Sequence, residues 1–219
     1  METMNNLIVM VDDEPGFCDL VKTTLEKGNK NVLTFQDGEK GLLTIEKERP
    51  DLVLLDVNMP ELSGWDILKE MEQRKGIEKV PVAMLTAEEF TISTILRKDL
   101  NFLVDYIEKP FRPTELRAIV EDILKRLSRM YSIENEIAEK FPTDGETIAS
   151  AFVTWCRTQM VHKTLLEKLK QMKSECFGIK KRSRIENLIE GERETVRRAQ
   201  VKKEEILDLA GVSRAPLQV

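Results

Sequence analysis

A chain of 219 residues with 41% hydrophobic content has apolar material for one domain of ordinary size and a substantial second segment. Its 33% charged and 5% aromatic residues, three cysteines without CxxC spacing and single histidine, His162, exclude a disulfide-stapled scaffold and a Cys/His zinc site. The net charge of −5 divides unevenly: residues 1–112 carry 14 basic and 22 acidic side chains and the remainder 20 and 17, so two modules with different tasks are expected.

The longest apolar runs, at 7–11 and 52–55, fall far short of the ~20 residues that a membrane-spanning helix needs. The first residues lack the basic start and apolar stretch of a signal peptide, so a cytoplasmic protein with no membrane partner is expected.

In chain order, short apolar runs rich in β-branched residues at 7–11, 31–35, 52–56, 80–85 and 104–107 predict five strands. Between them Phe17, Leu20, Val21 and Leu25, then Leu42 and Ile45, then Ile67, Leu68 and Met71 recur at helical spacing, and Gly28 and Gly76 stand where helices end. Alternation of this kind predicts a doubly wound, five-stranded parallel α/β sheet. After Pro113 the pattern becomes wholly helical. Leu116, Ile119, Val120, Ile123, Leu124, Leu127, Met130, Ile137 and Phe141 mark one stripe. Pro142 reads as a stop, and Thr143 with Glu146 as a capping box that restarts the chain. Two further helices, at about 146–175 and 181–209 with Gly178 between them, predict an antiparallel hairpin or bundle. The expected organisation is a first domain at 1–125, a helical extension and connector at 126–145, and an all-helical output or dimerisation region at 146–219.

Sites in open parallel sheets form at the carboxyl ends of the strands. Asp12 and Asp13 follow the first strand, Asp56 ends the third, Thr86 follows the fourth and Lys109 follows the fifth. Three carboxylates at one edge repel unless a cation intervenes, and Mg²⁺ suits two carboxylates, a backbone carbonyl at Asn58 and retained waters. A carboxylate can attack phosphorus when a metal, a lysine and a hydroxyl neutralise the gathering charge; Asp56, Lys109 and Thr86 supply that set. Each residue taken singly has an ordinary reading as a turn former, cap or surface group.

The stretches IVMVDDEP at 8–15, LVLLDVNMPELSGWDIL at 52–68, VAMLTA at 82–87 and YIEKPF at 106–111 together resemble the receiver domain of two-component response regulators, a flavodoxin-like fold with strand order 2-1-3-4-5. The resemblance covers about the first 125 residues. It implies that Asp56 is the phosphoacceptor and that Asp13 and Asp56 bind Mg²⁺ (or Mn²⁺) directly, with the Asn58 backbone carbonyl as a further ligand and Asp12 acting through water. Lys109 would pair with the acceptor carboxylate ahead of a cis bond to Pro110, while Thr86 and Tyr106 would form the switch. Asn58 and Glu88 would flank the path of the hydrolysing water. The donor would be a sensor histidine kinase or phosphotransfer protein, and the only catalysis expected is self-phosphorylation and slow autodephosphorylation. One departure is Asn101-Phe102-Leu103-Val104, where the family usually has a Gly-Ala pair.

For the helical half the leading expectation is a protein-interaction or homodimerisation module. The alternative is DNA binding: residues 206–215 look like the first helix and turn of a helix-turn-helix behind a basic stretch at 180–203, although interleaved glutamates give that stretch the look of a solvated face. A phosphotransfer role for His162 is a third and weaker reading, against ordinary polar surface.

Overall fold

The computed structural model describes residues 6–87, 103–141, 143–175 and 179–212. Glu88, the departure at Asn101 and Phe102, Pro142, Gly178 and the residues after Val212 lie outside them. The chain divides into two compact units, one comprising the described residues up to 87 with 103–125, the other those from 126 onward.

The first unit is a five-stranded parallel sheet, β1 Leu7–Val11, β2 Asn31–Phe35, β3 Leu52–Asp56, β4 Val82–Thr86 and β5 Leu103–Glu108, in the order β2-β1-β3-β4-β5. Val9 pairs with Leu33 on one side and Val53 on the other, and Val53 pairs with Val82. All five residues of β3 and of β4 are buried, as expected of strands covered on both faces. Three helices alternate with the strands, α1 Pro15–Glu26, α2 Gly38–Glu48 and α3 Gly64–Gln73, and α4 Pro113–Lys140 begins after β5. Arg117 of α4 donates to the Thr24 carbonyl of α1 at 3.0 Å, which sets these two helices side by side. Helix starts follow local chemistry: the Asp37 carboxylate accepts the Glu39 and Lys40 amides at the head of α2, and Ser63 and Asp66 form a reciprocal capping box at the head of α3.

Two boundaries differ from expectation. The fourth strand runs 82–86 rather than 80–85: Pro81 brings no amide to the ladder, though its carbonyl accepts Val53 N–H at 2.9 Å, and Thr86 becomes the last residue of the strand. The fifth gains Leu103 and Glu108, with a register shift against β4 between Val82 and Ala83.

In the second unit, the end of α4 is followed by α5 Gly145–Glu175 and α6 Ile179–Ala210. Phe152, Leu165, Leu169, Ile185 and Ala199 are wholly buried. Gly145 is required where the chain reverses, because a Cβ there would lie 2.4 Å from the Ala138 carbonyl oxygen. Since α5 starts at Gly145, Asp144 rather than Thr143 precedes the helix, one residue later than the expected capping box. Lys203, counted in the sequence with a solvated basic face, is 1% exposed and its ammonium donates to Gln159 Oε1. It sits one turn from Ala199 and Leu207, so helical periodicity places it on the buried stripe. Desolvation, with the charge of Lys163 adding to it, pushes its pKa below that of an ordinary lysine. His162 is likewise not plain surface: its side chain is 20% exposed and its Nδ1 lies 2.5 Å from Glu192 across the α5–α6 hairpin.

Candidate phosphoryl-acceptor site

The parallel order brings the ends of β1, β3, β4 and β5 to one edge, and the four polar groups there are drawn from residues far apart in the chain. The Lys109 ammonium bridges Asp12 Oδ2 at 2.7 Å and Asp56 Oδ1 at 2.6 Å. Side-chain exposure is 1% for Asp12, 7% for Asp56 and 15% for Lys109, so these charges meet in poorly screened surroundings. Burial pushes the Asp12 carboxyl above its ordinary 3.8; Lys109 and the Glu14 amide pull the other way, and Asp56 adds to the rise. For Lys109, burial opposes the charge, but the hydrogen bonds to Asp12 and Asp56 outweigh it and raise the pKa.

Backbone groups hold the carboxylates in place. Asn58 N–H donates to Asp56 Oδ2 at 2.7 Å and Glu14 N–H to Asp12 Oδ1 at 3.0 Å, while the Cys18 thiol donates to the Asp12 carbonyl at 3.3 Å. That thiol is driven up to about 11, first by burial and then by the nearby acids, so it is a structural donor and not a nucleophile. Lys109 N–H donates to the Thr86 carbonyl at 2.7 Å, and the Lys109–Pro110 bond is cis. Thr86 is 7% exposed and Tyr106 5%, the Tyr106 ring standing 6.2 Å from that of Trp65.

The expected set therefore meets: Asp12, Asp56 and Lys109 are in direct contact, Asn58 touches Asp56 through its amide, and Thr86 is joined to Lys109 through the backbone. Asp13 is exposed beside Asp12. Among the described residues no three His, Cys, Asp or Glu side chains close into a metal cage. The donors nevertheless fit Mg²⁺, because Asp12, Asp13 and Asp56 are hard oxygen ligands whose three negative charges Lys109 offsets only once, and Mg²⁺ binds through few carboxylates and keeps its waters.

Three contributors went unnoticed in the sequence. The Phe17 ring lies 4.1 Å from the Lys109 ammonium and 5.5 Å from the Phe111 ring. Gly64 lies under the acceptor: a Cβ there would stand 2.2 Å from the Asp56 carbonyl oxygen. Phe17 carried a signal, its place four residues after Asp13 in the first turn of α1, which turns it toward the strand ends. Gly64 carried only the SGWD string, which reads equally as a cap.

The family model of the response regulator receiver domain matches residues 8–121. Alkaline phosphatase synthesis transcriptional regulatory protein PhoP of Bacillus subtilis (strain 168) is 40% identical over 123 residues, 56% of this chain and 50% of that protein. DNA-binding response regulator MtrA of Mycolicibacterium smegmatis is 35% identical over 126 residues, 58% and 54% of the two chains. The chain thus spans about half the length of these curated relatives. In structure it is similar to a CheY-like receiver domain protein from Methanospirillum hungatei JF-1, at 24% identity and TM-score 0.51, covering 56% of this chain and 96% of that one. A receiver domain protein from Clostridium thermocellum gives 27% identity and TM-score 0.50, covering 57% and 98%. With strand order, the acidic edge and the family match in agreement, the chain belongs to the receiver-domain family of two-component response regulators.

Proposed function

We propose that Asp56 accepts a phosphoryl group from a sensor histidine kinase, a phosphotransfer protein or a small acyl phosphate, and that the helical unit turns this state into protein contacts. The observation that carries the reading is the Lys109 ammonium held between Asp12 and Asp56 at 2.7 and 2.6 Å. An Asp56 carboxylate oxygen attacks phosphorus in line with the leaving group, and the new acyl–phosphate bond replaces the bond to the donor. Lys109 stays beside the acceptor and meets charge on the transferred oxygens, as the Thr86 hydroxyl would after a short rotation. Asp13, Asp56 and the Asn58 carbonyl would hold Mg²⁺ or Mn²⁺, with Asp12 acting through a water, and the ion would supply the remaining neutralising charge. The burial of Tyr106 supports its reading as the switch aromatic.

Incubation of the full chain with a small acyl phosphate and Mg²⁺ is expected to add one phosphoryl group, labile to hydroxylamine and lost when the metal is chelated. A protein that stays unmodified with donor and metal in excess contradicts the reading. For the output, the solution mass with a phosphoryl mimic is expected to double relative to the protein alone; an unchanged monomer speaks against phosphorylation-driven dimerisation. DNA binding, for which the MtrA relative is named, is the second reading. Within the basic stretch Lys203 is buried against Gln159, and Arg197 and Lys202 are ion-paired to Glu194 and Glu205, so the protein-contact reading is preferred.

A further inference from the structure

Two sides of the Lys109 ammonium are taken by carboxylates, and another is covered by an aromatic face. Nζ lies over the Phe17 ring at 4.1 Å from its centroid, within the distance at which a ring quadrupole attracts a cation. The ring is fixed from two directions. Its backbone closes the first turn of α1, Phe17 N–H donating to the Glu14 carbonyl at 3.1 Å, and Phe111, two residues past Lys109, packs against it with the rings tilted by 53°. Both phenylalanines are half-buried, so the pair lies at the rim of the site and not in the sheet core.

We propose that Phe17 is a positioning residue for phosphoryl transfer: its ring face holds the Lys109 ammonium over Asp56 and keeps water off it, aimed at the oxygens of the incoming group. This rests on the reading of Asp56 as acceptor. A lysine carries its charge on a flexible four-carbon stem. When Asp56 becomes phosphorylated, its carboxylate loses its charge and the negative charge moves out onto the phosphoryl oxygens. An ammonium free to follow water would drift at that moment, whereas one held against a ring keeps its direction, and donors already in place need no reorganisation during the reaction. An aliphatic side chain at position 17 would give the same apolar cover without attracting the cation, so the two roles separate by experiment.

The test measures the rate constant for phosphorylation of the full chain by a small acyl phosphate with saturating Mg²⁺, in wild type, Phe17→Tyr, Phe17→Leu and a protein with pentafluorophenylalanine in place of Phe17. The fluorinated ring keeps the shape and reverses the quadrupole, so a loss there cannot come from packing. Phe17→Tyr is expected within about twofold of wild type, and Phe17→Leu and the fluorinated protein slower by about three- to tenfold. Wild-type rates in the latter two, or a Phe17→Tyr rate as low as that of Phe17→Leu, would overturn the proposal. An Asp56→Asn arm separates the two levels: label persisting there defeats the acceptor reading itself, while label lost there with a flat Phe17 series defeats only the role of the ring.

Discussion

Lys109→Ala is expected to slow phosphorylation of Asp56 on the order of a hundredfold and to destabilise the receiver at neutral pH by about 3 kcal/mol in the absence of divalent ions. Both effects follow from one contact. The ammonium is the single cation bonded to Asp12 and Asp56 among the described residues, and those carboxylates are 1% and 7% exposed. Removing it leaves two buried negative charges facing each other, which costs more than the pair gains while intact. The pH dependence has a definite sign. Asp12 already has a folded-state pKa raised above 3.8, so the folded chain holds its proton more tightly than the unfolded one, and this group's contribution to stability falls as pH rises through that window. Loss of Lys109 removes an interaction that lowers the Asp12 pKa and so widens the window. Denaturant unfolding of the two proteins should give a gap that is largest at neutral pH and narrows as pH falls through the raised Asp12 pKa; a gap independent of pH would show that the loss is one of packing alone. Lys109 titrates in the opposite sense. With its folded pKa raised above 10.5, its stabilising contribution is complete below that value and is lost as pH climbs through the folded pKa.

Gly64→Ala is expected to cost about 3 kcal/mol and to abolish most of the phosphorylation as well. A Cβ at this position would stand 2.2 Å from the Asp56 carbonyl oxygen, 3.0 Å from its carbon and 3.2 Å from Leu55 Cγ. The first two neighbours are backbone and cannot rotate aside. Relief requires α3 to withdraw from the end of β3, which stretches the 3.1 Å bond from Gly64 N–H to the Val57 carbonyl and turns the acceptor away from Lys109. Gly16→Ala is the matched control, since nothing lies within 4 Å of a Cβ there, and its unfolding free energy should change by no more than about 0.5 kcal/mol. Equal stability and equal labelling of the two variants would contradict the packing argument.

The sheet was legible because its strands are covered on both faces. Runs such as 52–55 are apolar along their length and bounded by turn formers, and Pro81 displaced the start of the fourth strand by withholding an amide. The acidic edge was legible from the same topology, which sends the residue at each strand's end to one side. Side-chain direction was harder to read. Phe17 scored as an apolar helix position and Lys203 as a surface base, because a composition stripe records spacing but not which flank of a half-buried helix turns inward. His162 and Glu192 are thirty residues apart on different helices, so no local pattern links them; the hairpin alone brings them to 2.5 Å. The helical unit is legible as helices and illegible as a function, since amphipathic stripes specify burial and not the partner that meets the outer face.

The central claim is that Asp56 carries the phosphoryl group. Mapping of the modified residue by mass spectrometry, after treatment of wild type and Asp56→Asn with acyl phosphate and Mg²⁺, tests it most directly. The expected result is a single phosphoryl group on the peptide containing Asp56 and none on the variant. Undiminished labelling of Asp56→Asn, or a label residing on another residue of the wild type, would contradict it.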